Sequence, residues 1–161
     1  RRDVSIVREI IEIKSVSLVE VIGGKIGYIS MRQTRFSERT SEEVEQAVRN
    51  LIAENVEGII LDLRGNPGGL LTQATQVADL FLPKGAPIVS IRERDGRREE
   101  TKASQRRPVG GNLPLVVLID DSSASASEIV AAAIKDHQRG LILGERTFGK
   151  ASVQQIFPLG N

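Results

Sequence analysis

At 161 residues the chain is one domain's worth of protein, and its 40% hydrophobic and 27% charged content is that of a globular domain able to bury a core. Lysine plus arginine (22) nearly cancel aspartate plus glutamate (21), and a balance of +1 exerts no long-range pull on nucleic acid or an anionic membrane. The absence of cysteine excludes disulfides, thiolate metal sites and cysteine nucleophiles, and no apolar run approaches the roughly 20 residues of a spanning helix.

In chain order, Val4, Ile6, Ile11 and Ile13 lie in β-branched runs that predict an opening strand, and Lys25 to Ser30 predicts another, entered through Gly23-Gly24. Thr40 is the expected N-cap of a first helix, with Glu43 completing a capping box and Val44, Ala47, Val48, Leu51 and Ile52 at helical spacing behind it. Gly58 to Leu63 is a nearly continuous apolar run, the pattern of a strand buried on both faces, and it opens into Arg64-Gly65-Asn66-Pro67-Gly68-Gly69. A second helix follows, carrying Leu71, Ala74, Val77, Ala78 and Phe81, and closes at Pro83. Ile88 to Ile91 and Glu99 to Lys102 predict a hairpin around Asp95-Gly96. The arginines at 92, 94, 97, 98, 106 and 107 cluster there, but Glu93, Asp95, Glu99 and Glu100 interleave with them, as in a solvated ribbon.

Leu115 to Ile119 is the strongest buried-strand signal. The third helix runs from about Ala126 to Lys135, and Leu141-Ile142-Leu143 is a strand. Thr147 to Lys150 is a Gly-containing turn, and Ser152 to Phe157 a last strand. The alternation of strand and helix implies an α/β fold with a mostly parallel sheet and peripheral hairpins. The whole of 1–161 is expected to be a single domain. Because the chain starts without Met and stops just after an expected strand, it is expected to be a segment of a longer protein.

Ligands of open α/β sheets bind beyond the carboxyl ends of strands. Two loops belong there: Arg64 to Gly69, and Asp120 to Ser125. A serine at a strand-to-helix turn is held by the backbone beside free N–H groups and a partial positive charge, an arrangement suited to a developing oxyanion. Ser125 is therefore a candidate nucleophile, with small neighbours Ala124 and Ala126; the alternative is that Ser122, Ser123 or Ser125 only caps the helix. A hydroxyl nucleophile needs a base within reach. His137, at the far end of the same helix, lies roughly 18 Å from Ser125 along the axis and cannot touch it. Lys150 is the candidate base, provided that its turn between apolar strands partly buries it; a surface lysine is the alternative. Gly68 or Gly69 offers an amide as second oxyanion donor beside that of Ala126, against the plain alternative of a Pro-Gly turn. Gln154 lies four residues past Lys150, on the same side of the expected strand, where it could position the amine. Asp62 and Asp121 lack a second carboxylate, and no metal or phosphate motif occurs.

Taken together, Gly27-Tyr28-Ile29, Asp62 to Gly69, Ser123 to Ile129 and Thr147 to Gln154 resemble, in order and over nearly the whole chain, the C-terminal processing, or tail-specific, serine proteases. The resemblance implies a crotonase-like core and an endopeptidase with a Ser-Lys dyad. It puts the nucleophile on Ser125, the base on Lys150, the supporting glutamine on Gln154 and the oxyanion donors on the amides of Gly69 and Ala126. It implies no cofactor, unstructured C-terminal tails of polypeptides as substrates, room for self-association, and a bacterial periplasmic or cell-envelope setting. The chain departs from the family pattern at Ala151, where the pattern has Gly. The family's PDZ module is missing, with residues 1–14 its expected junction or remnant. Two rival readings remain at this level: a crotonase-like enzyme acting on acyl thioesters, with Gly68-Gly69 holding an enolate, and a catalytically silent scaffold.

Overall fold

The computed structural model describes residues 13–93 and 99–154. The opening strand expected over Val4 to Ile11, the tip of the ribbon around Asp95-Gly96 and the end of the last expected strand lie outside these residues. Ile13 itself is exposed and in no strand.

The main sheet has the order β1 (Leu18–Ile22), β2 (Ile26–Ser30), β3 (Gly58–Asp62), β6 (Leu115–Ile119), β7 (Leu141–Gly144). Only β1 runs antiparallel to its neighbour; β2, β3, β6 and β7 are parallel. The β1–β2 hairpin turns at Gly23 and Gly24, both with positive φ. Its first strand is absent from the sequence reading, because Leu18-Val19-Glu20-Val21-Ile22 is an edge whose apolar side chains are half exposed and do not alternate. Helices α1 (Thr40–Ala53) and α3 (Ala126–Asp136) are the crossovers of β2 to β3 and β6 to β7. The β3-to-β6 connection carries α2 (Leu71–Asp79) and a separate two-stranded ribbon, β4 (Pro87–Arg92) with β5 (Glu99–Ala103). The result is a mixed α/β architecture with a mostly parallel sheet.

The core lies between sheet and helices. Ile29, Leu61, Leu63, Val117, Val44, Val48, Val77, Leu80, Val130 and Ile134 are all fully buried in it. Burial on both faces holds for most of β3, while β6 alternates, with Leu115 and Val117 buried and Val116 and Leu118 half-buried. Removing such side chains from water, at about 25 cal/mol per Å² of apolar surface, is the main force clamping the helices to the sheet.

Two local expectations are corrected. Thr40 does not cap α1: it is the first helical residue, and its hydroxyl takes part in a buried cluster with Ser15 and Ser37. Glu43 reaches out of the helix instead, accepting the N–H groups of Ser15 and Val16 at 2.9 Å each. At the other end of the chain, residues 146–154 form no regular structure, so Ser152 to Gln154 is not strand.

Candidate active site

Strands β3 and β6 are hydrogen-bonded neighbours, so the loops leaving their carboxyl ends meet. The contact is close: a Cβ on Gly68 would lie 2.5 Å from the Ala124 carbonyl oxygen and 2.7 Å from the Ala126 nitrogen. Gly68 and Gly69 have φ of +91° and +153°, which only glycine adopts without strain. On the far side Gly69 is pressed on Phe36, whose backbone donates to the Gly68 carbonyl and accepts the Leu70 N–H.

Buried polar groups lock this junction. Asn66 is fully buried; its Nδ2 donates to the Met31 carbonyl, and its Oδ1 accepts the Gly68 N–H at 2.9 Å. Ser127, also fully buried, donates to Asn66, and the Ala124 N–H donates to the Asn66 carbonyl. Ser123 donates to the Leu63 carbonyl at 2.8 Å and accepts the Asp120 N–H, while Asp120 accepts the Gly65 N–H. Burial would raise the Asp120 carboxyl, but the bonds from Gly65, Ser122 and Ser123 hold it below the ordinary aspartate value. At the end of β3, Asp62 is fully buried and accepts Arg64 through both oxygens and the Tyr28 hydroxyl at 2.6 Å. Burial again pushes the Asp62 carboxyl up, and these bonds outweigh it and keep it low; the Tyr28 hydroxyl is raised, by burial and then by Asp62.

These bonds sort the serines. Ser123 and Ser127 are spent in the interior, and Ser122 is exposed with its hydroxyl on Asp121. Ser125 is half-buried at the N-cap of α3, with φ +54° and ψ −111°, a conformation far from the extended one usual at N-caps. Strain of this kind at a non-glycine residue costs on the order of 1–3 kcal/mol and persists only where the surroundings impose it. Here Gly68 on one side and the Asn66–Ser127 pair on the other impose it. Among the described residues, neither the Gly69 N–H nor the Ala126 N–H has a hydrogen-bond acceptor.

Ser125 and Ala126 face a cavity of about 230 Å³ that Gly69, Lys150 and Gln154 also line. Leu70, Leu71, Ile129 and Val153 form its apolar wall. Ser125, Ala126, Gly69, Lys150 and Gln154 thus share one opening, which Gly68 does not line, though it packs against Ser125 and Ala126. Lys150 does not meet the expectation of partial burial: it is exposed, because the loop carrying it lies over the helix mouth with no further element packed on it among the described residues. His137 caps the C-terminal end of α3 and donates from Nε2 to the Pro87 carbonyl, away from this cavity. A larger depression, about 710 Å³, lies between β1 and α1 and contains none of these residues.

One residue escaped the sequence reading. Glu128 accepts the Ser125 N–H at 2.7 Å, the Gly149 N–H at 2.7 Å and the Lys150 N–H at 2.9 Å. The signal was present: Ser125-x-x-Glu128 is a capping-box pattern, the same one assigned to Thr40 and Glu43.

The cleft thus joins a strained serine at a helix mouth, two amides without an acceptor among the described residues, and an apolar wall. Residues 25–161 match the model of peptidase family S41, and the chain belongs to that family of serine-type peptidases. It is 44% identical over 165 aligned residues to the carboxy-terminal-processing protease of Bartonella bacilliformis, an alignment covering 98% of this chain and 36% of that protein. It is 42% identical to the carboxy-terminal processing protease CtpA of Bacillus subtilis, over 94% of this chain and 32% of the relative. Among solved structures, the photosystem II D1 C-terminal processing protease superposes with a TM-score of 0.75 at 35% identity, over 91% of this chain and 38% of that one. The chain therefore spans about a third of the length of the relatives it matches.

Proposed function

We propose that this chain is the crotonase-like catalytic core of a serine endopeptidase that cuts polypeptides in their C-terminal regions through a Ser125–Lys150 dyad. The observation that carries the reading is the single cleft shared by Ser125, Lys150, Gln154, Gly69 and Ala126. In the proposed reaction the neutral Lys150 amine takes the Ser125 proton as Oγ bonds to the substrate carbonyl carbon. The amides of Gly69 and Ala126 stabilise the oxyanion, with Gly68 giving them room. The C–N bond then breaks, and the Lys150 ammonium returns its proton to the departing amine. Water, deprotonated by Lys150, attacks the acyl-enzyme; the acid leaves and Ser125 regains its proton. Gln154 orients the amine. No step needs a cofactor or metal.

A substrate chain lying in the cleft would cover the exposed Lys150. An open cleft with an apolar wall suits extended, unstructured tails rather than folded surfaces. By kinship with the C-terminal processing proteases, the setting would be the bacterial periplasm or cell envelope; among the described residues no helix is long and apolar enough to cross a membrane. We read residues 1–161 as one core domain, with substrate recognition shared with other parts of the full-length protein. The test uses that full-length protein. Ser125→Ala and Lys150→Ala should each abolish cleavage of an unfolded polypeptide, and a serine-directed fluorophosphonate should label Ser125. Wild-type cleavage by either variant would exclude the mechanism.

A further inference from the structure

The loop that carries Lys150 has little of its own to hold it. Residues 146–154 are irregular and mostly exposed. Two attachments tie it to the mouth of α3. One is the Phe148 N–H on the Ser123 carbonyl at 3.1 Å. The other is Glu128, whose Oε1 accepts the Gly149 N–H and whose Oε2 accepts both the Lys150 N–H and the Ser125 N–H; the Thr147 hydroxyl helps to hold the same carboxylate charged. One oxygen therefore touches the backbones of the nucleophile and of its base.

We propose that Glu128 is a positioning residue that sets the reach of Lys150 to Ser125 by clamping the lysine loop to the helix mouth. The proposal rests on the dyad reading above. A carboxylate is the right group for such a clamp, because it offers about four acceptor sites and no donor, and three backbone N–H groups converge on it. Glutamine would keep the length but turn an NH₂ toward N–H groups. Charge-assisted bonds are also the stronger kind. Partial burial pushes the Glu128 carboxyl up, yet the bonds from Ser125, Thr147, Gly149 and Lys150 outweigh it and hold it below the usual glutamate value. The competing explanation is that Glu128 only caps α3 through the Ser125 N–H. The two differ in whether its effect requires Lys150.

A double-mutant cycle in the full-length protein separates them, read as the rate at which a small nitrophenyl ester acylates Ser125 with release of nitrophenolate. Glu128→Gln should slow acylation about 10- to 100-fold, the scale of an ångström-sized misplacement, with KM for a peptide substrate held within about twofold. Added to Lys150→Ala, it should slow the reaction no further. Thr147→Val, which removes a hydroxyl that helps to hold the Glu128 carboxylate charged and leaves the carboxylate in place, should slow acylation about threefold, again only when Lys150 is present; it serves if Glu128→Gln does not fold. Acylation by Glu128→Gln at the wild-type rate overturns the inference. So does an equal slowing in the Lys150→Ala background, which would assign Glu128 to the serine elbow alone. If instead Lys150→Ala itself acylates at the wild-type rate, the dyad reading has failed.

Discussion

The two halves of the cleft are built to different standards. The serine side belongs to the core: Asn66, Ser123 and Ser127 are fully buried, each is hydrogen-bonded, and the glycine loop is wedged between Phe36 and the helix mouth. The lysine side hangs on the surface by a handful of backbone N–H groups. A group whose placement is over-determined by packing can hold strain, as Ser125 does; a group held by a few bonds can be displaced at little cost to the fold. Damage to the first half should therefore appear as lost stability, and damage to the second as lost turnover.

The largest effect is expected at Gly68. In Gly68→Ala the new Cβ would fall 2.5 Å from the Ala124 carbonyl, against backbone that cannot swing aside, at a φ of +91°. Overpacking and strain together should cost about 3 kcal/mol or more. Denaturant midpoints of the variant and wild type check this, and coincident curves would mean that the two loops do not touch. Next is Asn66→Ala, which leaves the Gly68 N–H without an acceptor in the interior and takes one of two partners from the Met31 carbonyl and from the Ser127 hydroxyl. The expected loss is on the order of 2–3 kcal/mol, measured in the same way, with a cost under about 0.5 kcal/mol breaking the contrast between the halves.

How much of this was legible beforehand follows the same division. The glycine loop and the serine turn are legible because their constraints are local: a Gly-Gly after a buried strand and a serine between strand and helix admit few arrangements. The sheet then had only to make β3 and β6 neighbours for the loops to meet. The lysine half was harder. Strand periodicity puts Gln154 on the same side as Lys150; the strand is not there, yet both line the cleft. Lys150 was expected to be partly buried because its flanks are apolar, but Leu141, Leu143, Phe148 and Val153 are themselves exposed. The capping-box pattern at Thr40 points to Glu43, which tertiary contacts with Ser15 and Val16 claim. At Glu128 the box forms and reaches on to a loop some twenty residues away, a contact that no local pattern announces.

Acid should detach the lysine loop. The Glu128 carboxyl has its folded value lowered from 4.5, so its contribution is complete above the unfolded value and is lost as pH falls through the folded one. Amide exchange at Gly149 and Lys150 should accelerate across that window, relative to the intrinsic rate, while Val117 and Val130 in the core stay protected. Equal protection at both places down to the pH of global unfolding would show that the loop is not a separate unit.

The smallest effect sharpens the point that backbone, not side chains, fixes this loop. Phe148 has 70% of its surface exposed, so Phe148→Ala should change stability by less than about 0.5 kcal/mol. Phe148→Pro removes the N–H that donates to the Ser123 carbonyl. It should leave the thermal midpoint within a degree or two of the alanine variant, because the core does not depend on the loop, while its turnover falls well below that of the alanine variant. If the two variants turn over alike, the Phe148 bond does not help to position Lys150, and Glu128 holds the loop alone.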